Sequence, residues 1–344
     1  MKLFFNTFFG LTILLFGCSK KPLEVNVLSS GFIYENALFP QCHASTIVET
    51  DEGLLSAWFG GTHEKHPDVC IYTSTFTNDQ WSTPKKVADG VINDTLRYPC
   101  WNPVLFKEPS GLLTLYYKVG PNAQEWWGML KTSADDGKTW SEATRLQDGF
   151  LGPIKNKPVL TSAGRLICPS SYEDPKTDEW RVHFEISDDM GKSWKKVSIK
   201  DDDFDIIQPS VLFHPDDRLQ ILARSKENYV VTSWSSDNGD SWSAPELTTL
   251  PNPNSGTDAV TLADGTQLIV YNPTKRREGK WGGPRTPLSI AISKDGIAWK
   301  NIYTLEDQPG EYSYPAVIQA SDGSIHVTYT YKREMVKHVA FRLE

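Results

Sequence analysis

One hairpin unit recurs six times along the chain, and this repeat restricts the fold more than any other feature. Each unit is an apolar strand, a short polar turn that usually contains glycine, and a second apolar strand. The turns follow one another at intervals of roughly 50 residues, which is the length of a four-stranded propeller blade. The sequence therefore predicts an all-β protein folded as a six-bladed β-propeller. The six turns contain Gly53, Gly111, Gly164, Asp217, Gly265 and Gly323.

A second motif follows most of these hairpins. It reads Ser-x-Asp-x-Gly-x-x-Trp at Ser133–Trp140, Ser187–Trp194 and Ser235–Trp242, a copy one residue shorter runs from Ser293 to Trp299, and Ser74–Trp81 is a degenerate first copy. In such a turn the aspartate accepts backbone N–H bonds, the glycine adopts a positive φ, and the tryptophan packs between blades. We therefore assign the motif to the scaffold and not to catalysis.

The start of the chain has the pattern of a bacterial lipoprotein signal. Lys2 precedes an apolar stretch, Leu3–Phe16, that is too short and too interrupted to span a membrane comfortably. The stretch ends in Leu-Phe-Gly-Cys18, which resembles a lipobox and predicts lipidation of Cys18. We expect residues 1–17 to be a signal peptide, residues 18–23 a lipidated tether, and residues 24–344 one propeller domain. The mature protein should be exported, and be periplasmic or anchored at the outer membrane or cell surface.

The two ends of the chain should meet in one blade. After the sixth hairpin, one more strand, Lys337–Leu343, precedes the terminus, so that blade lacks its outer strand. Leu23–Leu28 at the mature N-terminus can supply this strand, and pairing of the two ends would remove the open edge of the ring.

Charge and cysteine content limit the partners. The net charge is −8, so neither nucleic acid nor an anionic membrane surface should bind through bulk charge, and the lipid should be the sole membrane contact. An anionic ligand would need locally placed arginines.

Apart from Cys18, the cysteines match no C-x-x-C zinc pattern; export would permit disulfides, but buried free thiols are the simpler interpretation. We expect a monomer with no metal and no cofactor. The four cysteines other than Cys18 are Cys42, Cys70, Cys100 and Cys168.

Polar residues precede the first strand of every hairpin, at the same phase of the repeat. Because the inner strands of a propeller surround one channel, side chains at this phase should share one mouth of that channel. This mouth is the predicted ligand site. Its candidate binding residues are Arg97, Trp101, Asn102, Lys157, Gln208, Asn254 and Asp258.

In its six repeats and its Ser-x-Asp-x-Gly-x-x-Trp motif, the sequence resembles the sialidase, or neuraminidase, superfamily of BNR-repeat, Asp-box propellers over nearly the whole mature chain. Sialidases use a tyrosine nucleophile paired with a glutamate, three arginines that bind a carboxylate, and an acid on an early loop. By position, the resemblance implies that Tyr314 is the nucleophile and that Arg224 and Arg285 are two of the arginines. It makes Glu64 the nearest match to the acid, with Asp68 second.

The sequence departs from this family pattern at two positions, and so resembles a divergent subfamily. His43 stands where the first carboxylate-binding arginine is expected, and Gln208 stands where the glutamate partner of the tyrosine is expected. His43 could donate a hydrogen bond to the same carboxylate, and Glu311 could substitute for the missing glutamate.

Three functions are compatible with this pattern. The first is a retaining exo-glycosidase for a terminal acidic sugar of a glycan, in which Tyr314 attacks the anomeric carbon and an arginine pair holds the carboxylate. The second is a lyase for uronate-containing polysaccharide, in which Arg224, His43 and Tyr314 neutralise the carboxylate and move the protons. The third is a glycan-binding protein without catalysis, which stacks sugars on aromatic rings. The candidate rings are Trp101, Trp126, Trp127 and Trp281.

Overall fold

The computed structural model describes residues 23–200 and 203–344. The predicted signal peptide, the lipidation site Cys18 and the tether up to residue 22 lie outside these residues. Every regular element in the described part of the chain is a β-strand. No helix in that part is long and apolar enough to cross a membrane.

The strands form six four-stranded or five-stranded sheets, which are the six predicted blades. The chain begins with β1 (Val25–Phe32). Blade 1 then contains β2 (Gln41–Thr50), β3 (Gly53–Gly61), β4 (Cys70–Thr77), β5 (Gln80–Trp81) and β6 (Lys85–Ala88), and a small hairpin follows it, β7 (Val91–Asn93) with β8 (Leu96–Arg97). Blade 2 contains β9 (Cys100–Lys107), β10 (Leu113–Val119), β11 (Trp127–Ser133) and β12 (Thr144–Arg145).

The other blades repeat the same order of inner to outer strands. Blade 3 contains β13 (Val159–Leu160), β14 (Leu166–Glu173), β15 (Trp180–Ser187) and β16 (Lys195–Ser198). Blade 4 contains β17 (Ile206–Phe213), β18 (Leu219–Ser225), β19 (Tyr229–Ser235) and β20 (Glu246–Pro251). Blade 5 contains β21 (Asp258–Thr261), β22 (Gln267–Tyr271), β23 (Leu288–Ser293) and β24 (Lys300–Glu306). Blade 6 contains β25 (Tyr312–Gln319), β26 (Ile325–Tyr331), β27 (Met335–Leu343) and β1.

Blade 6 joins the two ends of the chain. β1 pairs antiparallel with β27, with Val25 opposite Leu343 and Phe32 opposite Lys337. The predicted closure is therefore confirmed. The pairing gives β27 a hydrogen-bonded neighbour on its outer side, so the last blade is as complete as the others.

Apolar side chains fill the spaces between neighbouring blades. One buried cluster joins Ile71 of blade 1 to Leu115 of blade 2, and another joins Val270 of blade 5 to Val327 of blade 6. Removing one such side chain from water stabilises the fold by about 2 kcal/mol. The cores lie between the sheets, so the inner strands are held in place around the channel.

The Asp-box turns are scaffold, as predicted. The Asp135 carboxylate accepts hydrogen bonds from the Thr139 backbone N–H at 2.9 Å and from the Ser133 hydroxyl at 2.7 Å. Gly137 has φ +83°, and a Cβ there would lie 2.8 Å from the Leu55 side chain of blade 1. Glycine is therefore required both by the turn and by the approach of the neighbouring blade. Asp189 and Asp237 make the same contacts in blades 3 and 4.

Four cysteines lie in the described residues, and all four are buried free thiols. Burial raises the pKa of the Cys100 and Cys168 thiols well above the ordinary value, so both remain protonated at neutral pH. They pack in the fold as small apolar side chains.

Candidate functional site

Four inner strands carry the same irregularity close to their first residues. Ala44, Asn102, Gln208 and Tyr314 all have positive φ, at 56°, 21°, 56° and 52°. The strand pairing slips at these points, which is the signature of a β-bulge. Such a conformation is unfavourable for residues other than glycine, and strained residues of this kind cluster at active sites and ligand-binding positions. Two of the bulge residues, Gln208 and Tyr314, contact each other through their side chains.

Two hydrogen-bond donors are directed at the Tyr314 hydroxyl oxygen. Arg224 Nη1 lies 2.8 Å from it, and Gln208 Nε2 lies 3.4 Å from it. Both nitrogens can only donate, so the phenolic oxygen accepts and its own hydrogen is directed elsewhere. A guanidinium and an amide at this distance stabilise negative charge on that oxygen.

Arg224 is fixed by contacts on several sides. It lies one residue before the end of β18, is 3% exposed, and donates from Nε to the Asn254 amide oxygen at 2.9 Å. Its guanidinium lies 5.0 Å from the Trp180 ring and 5.4 Å from the Trp281 ring, which is within cation–π range. Asn254 in turn donates to the Trp281 carbonyl, so the loop after β22 is tied to the arginine.

Two further arginines share one carboxylate beside the tyrosine. Arg285 Nη1 lies 3.1 Å from Glu311 Oε1, and Arg333 Nε lies 2.7 Å from the same oxygen. Arg333 also forms an ion pair with Glu64 at 2.5 Å. The two guanidinium groups hold the pKa of Glu311 below its ordinary value, although burial acts in the opposite direction. Glu311 therefore remains ionised and positions both arginines, and no contact brings it to the Tyr314 hydroxyl.

His43 packs against the face of Tyr314. The two ring centroids lie 4.1 Å apart, and His43 Nδ1 is 2.8 Å from the Thr330 hydroxyl. Burial lowers the pKa of His43 well below its ordinary value, and the charges of Arg333, Arg285, Arg224 and Lys155 lower it further. The imidazole is therefore neutral at neutral pH.

Lys155 lies beneath the tyrosine and connects three blades. Its ammonium donates to Asn156 Oδ1 at 2.8 Å, to the Thr257 carbonyl at 2.8 Å and to the Pro315 carbonyl at 2.7 Å. The ammonium is also 5.7 Å from the Tyr314 ring. Burial lowers the pKa of Lys155 to about 7. With three acceptors filled, this lysine fixes the backbone at Tyr314.

The pair formed by Lys157 and Asp258 is a structural link at the channel axis. Lys157 Nζ lies 2.7 Å from Asp258, which also accepts from the Ser210 hydroxyl at 2.9 Å and the Val317 backbone N–H at 2.8 Å. The carboxylate is 1% exposed. It therefore ties the inner strands of blades 4, 5 and 6 together.

The early loop between β3 and β4 carries two carboxyl groups with different roles. Asp68 accepts from the Thr62 backbone N–H at 2.9 Å and from the Thr62 hydroxyl at 2.6 Å, and His66 lies 2.8 Å from it. Asp68 thus holds the loop in shape. Glu64 faces the mouth through its ion pair with Arg333.

Other sequence candidates lie away from the tyrosine. Arg97 donates to the Cys70 sulfur at 3.3 Å, and the Trp101 indole donates to the Gly120 carbonyl at 2.8 Å from a buried position. Asn102 is buried at its bulge, but no contact joins it to Tyr314. Trp126 packs edge-on against Trp101.

A cleft between blades 2 and 3, about 280 Å³ in volume, is lined by Trp126 and Trp127 with Tyr172. Trp281, by contrast, is 57% exposed, beside Arg224. It is therefore the most accessible of the four tryptophans proposed to stack on sugars.

Two residues of the mouth, Glu173 and Arg333, are not among the candidates predicted from the sequence, whereas Lys155 belongs to the polar segment that precedes the first strand of blade 3. Arg333 lies in the turn after β26, and Glu173 ends β14, the second strand of blade 3. Arg224 lies near the end of β18, the second strand of blade 4. Residues of the mouth therefore recur at the ends of second strands, and this regularity is a signal for Glu173 in the sequence.

No group of three or more His, Cys, Asp or Glu side chains within residues 23–200 and 203–344 is arranged to hold a metal ion.

Residues 52–327 match the BNR_2 family, described as a BNR repeat-like domain. Among curated proteins, vacuolar protein sorting/targeting protein 10 of Candida dubliniensis is 27% identical over 161 residues, and its counterpart in Candida albicans is 28% identical over 163. Each alignment covers 44% of this chain and 10% of the relative, so the chain matches about a tenth of the length of these relatives.

Solved structures resemble the whole propeller. A Dyadobacter fermentans protein of unknown function superposes with a TM-score of 0.75 at 16% identity, covering 93% of this chain and 99% of that one. The NanB sialidase of Streptococcus pneumoniae gives 0.69 at 13% identity, covering 91% and 70%. The intramolecular trans-sialidase of Ruminococcus gnavus, solved with oseltamivir carboxylate, gives 0.69 at 13%, covering 91% and 96%. At these identities the likeness establishes the fold. The chain belongs to the BNR repeat-like family and has a sialidase-like six-bladed propeller fold.

Proposed function

We propose that this protein is an exo-glycosidase of sialidase-like type that removes a terminal acidic sugar from a glycan. The observation that carries the proposal is the Tyr314 hydroxyl, which receives hydrogen bonds from Arg224 and Gln208 at the mouth of the channel. A tyrosine suits an anomeric carbon that bears a carboxylate, because a neutral nucleophile avoids the repulsion that a carboxylate nucleophile would meet.

The charge of the mouth supports an anionic ligand. The whole chain carries a net charge of −8, yet Arg224, Arg285, Arg333 and Lys155 all lower the pKa of the single histidine beside Tyr314. Their positive potential is thus concentrated at one point of an acidic protein. Guanidinium groups bind carboxylates through paired, charge-assisted hydrogen bonds. We assign to Arg333 the role of the third carboxylate-binding arginine, at whose expected position the sequence carries His43.

The test is a panel of oligosaccharides that end in sialic acid or in a uronic acid, incubated with the purified protein and read by mass. Release of the intact terminal sugar with addition of one water supports the proposal. Tight binding without any release would favour the non-catalytic glycan binder. The proposal is refuted if the protein neither binds nor cleaves any member of the panel.

One observation favours a second candidate, a lyase acting on uronate-containing polysaccharide. His43 is neutral beside the tyrosine, and an amide, Gln208, contacts the phenolic oxygen where a carboxylate is usual in sialidases. A neutral imidazole can accept the proton from the carbon next to the uronate carboxylate, while Tyr314 protonates the leaving oxygen. The same panel separates the two, because elimination adds no water and leaves a double bond that absorbs in the ultraviolet.

We also propose that the mature protein acts outside the cytoplasm, held to a membrane by lipid on Cys18. The pattern Leu-Phe-Gly-Cys after an interrupted apolar stretch supports this proposal. Replacement of Cys18 by alanine should move the protein from the membrane fraction to the soluble fraction. A Cys18→Ala protein that stays with the membrane would contradict it.

A further inference from the structure

Glu173 and Arg224 lie at the same ends of the second strands of two neighbouring blades. Glu173 is the last residue of β14, the second strand of blade 3, and Arg224 lies one residue before the end of β18, the second strand of blade 4. Second strands of successive blades run toward the same mouth of the channel. Both side chains are therefore carried to the mouth that contains Tyr314.

The strand register places Glu173 on the side of blade 3 that faces Arg224. Glu173 is directly opposite Trp180 in the ladder between β14 and β15. Directly opposite residues of antiparallel strands project from the same face of the sheet. The Trp180 ring lies 5.0 Å from the Arg224 guanidinium, which itself donates to the Tyr314 hydroxyl at 2.8 Å. The carboxyl of Glu173 thus belongs to the cluster around the nucleophile.

Glu173 differs from the other carboxyl groups of the mouth because it has no fixed partner. Glu64 and Glu311 are bound by arginines, and Asp68 holds its loop. The half-buried Glu173 carboxyl accepts no hydrogen bond from the described residues. Burial raises the pKa of Glu173, and Asp178 adds to the effect, whereas Arg224, Lys226 and Lys65 act against it. A larger fraction of Glu173 is therefore protonated at a given pH than for a glutamate in water.

We infer that Glu173 is the general acid that protonates the leaving oxygen when the terminal sugar is released. This inference rests on the proposed glycosidase function, and it replaces the loop carboxyls Glu64 and Asp68 in that role. A half-buried carboxyl without a hydrogen-bond partner, placed beside the arginine that contacts the nucleophile, has the position and the free proton that the step requires.

The step balances as follows. The Glu173 proton moves to the glycosidic oxygen as its bond to the anomeric carbon breaks, and the bonding electrons remain on that oxygen. The Tyr314 oxygen forms the new bond to the anomeric carbon and releases its proton to water. A second water then displaces Tyr314 and returns a proton to Glu173, while the phenolic oxygen recovers a proton from solvent. The net reaction is hydrolysis.

The experiment compares Glu173→Gln with wild type on two kinds of substrate. One set consists of aryl glycosides of sialic acid and of glucuronic acid, whose leaving groups need no proton; the other has the same sugars linked to galactose. We expect Glu173→Gln to lose about 100-fold or more in kcat on the galactose-linked substrates, as is typical when general acid catalysis is removed. It should lose much less on the aryl glycosides.

The pH profile gives a second measurement. Because the acid must be protonated, wild-type turnover of galactose-linked substrates should fall as pH rises through the Glu173 pKa, and Glu173→Gln should lack this limb. Glu179→Gln is the matched control, since Glu179 lies on the same hairpin, exposed and paired with Arg181. Glu173→Asp keeps the acid on a shorter side chain and should recover part of the activity. It also serves as the test if Glu173→Gln does not fold.

The outcomes are distinguishable. If wild type cleaves these substrates and both Glu173 variants match it on galactose-linked substrates, the inference is wrong and the proposed function stands. If wild type cleaves no substrate of either set, the proposed function fails and the inference fails with it. If Glu173→Gln loses turnover selectively on the galactose-linked substrates, whose leaving groups are poor, the result supports both the inference and the proposed function.

Discussion

The ammonium nitrogen of Lys155 lies 2.7 Å from the carbonyl oxygen of Pro315, the residue that directly follows Tyr314. The two residues belong to blades 3 and 6, and 160 positions separate them in the chain. Because Tyr314 has φ +52°, its backbone needs an external constraint to remain in that conformation. Lys155 provides this constraint from across the channel, and its other two hydrogen bonds end on blades 3 and 5.

This relationship predicts the effect of Lys155→Met. The variant leaves the Pro315 and Thr257 carbonyls without their donor, which should lower the free energy of unfolding by about 1–3 kcal/mol. Turnover per folded molecule should fall as well, because Tyr314 loses its fixed position. The measurements are a denaturant titration and kcat on a proven substrate. Lys176→Met, at an exposed lysine, should change neither quantity. Full turnover with lowered stability would mean that Lys155 supports the fold alone.

Tyr314→Phe and Arg224→Ala should affect kinetics differently. Under the proposed function, Tyr314→Phe removes the oxygen that attacks the anomeric carbon and keeps the ring, so kcat should fall by several orders of magnitude while binding changes little. Under the same proposal, Arg224→Ala removes a contact that the substrate carboxylate makes before and during the reaction, so KM should rise strongly as well. Steady-state kinetics and calorimetric binding distinguish the two effects. A Tyr314→Phe protein with near-wild-type turnover would exclude this residue as the nucleophile.

Asp135→Ala should destabilise the fold without changing the chemistry of the mouth. The carboxylate accepts hydrogen bonds from the Thr139 hydroxyl and backbone N–H, which lower the pKa of Asp135 to about 2. A pKa lowered in the folded state gives stability that is present above the ordinary aspartate value and is lost as pH falls toward about 2. The variant should show a lower Tm at pH 7 and a weaker loss of Tm on acidification. Asp148→Ala, in a surface ion pair with Arg145, is the control.

Two buried histidines in blade 6 should make the fold acid-sensitive. Trp81 donates to His338 Nδ1 at 3.3 Å, His338 Nε2 lies 3.0 Å from His326 Nδ1, and His326 Nε2 lies 2.8 Å from the Ser324 hydroxyl. An indole can only donate, so each ring needs one unprotonated nitrogen. Burial, together with a smaller contribution from the neighbouring His326, lowers the pKa of His338 to about 3.

The sign of the pH effect follows from these lowered pKa values. The unfolded chain binds protons near the ordinary histidine pKa, about 6.5, before the folded chain does, so stability falls as pH decreases below that value. His338→Gln cannot take up the proton and should lose less stability than wild type between pH 6.5 and 4. Thermal unfolding across this range is the measurement, with His63→Gln, at an exposed histidine, as control. Parallel curves for wild type and His338→Gln would refute this account.

The sequence by itself determined the fold, because the same local structural preferences recur in every repeat unit. Alternating apolar strands, glycine turns such as Gly137 and the Asp135 turn specify one blade after another, and closure by the N-terminal strand follows from the missing outer strand of blade 6. The repeat phase also located the mouth of the channel and selected Gln208 and Asn254, and the resemblance to sialidases added Tyr314 and Arg224; the structure brings these four residues into direct contact.

Only the tertiary structure decided what each polar side chain does there. Asp258 and Gln208 look alike in the repeat, yet one ties three blades together and the other contacts Tyr314. Glu173 ends the second strand of blade 3 and Arg333 lies in the turn after the second strand of blade 6, and their proximity to the mouth depends on how blades far apart in sequence are arranged around the channel. Hydrogen bonds between blades act only after the ring closes, so no local pattern can specify which partner a side chain will find.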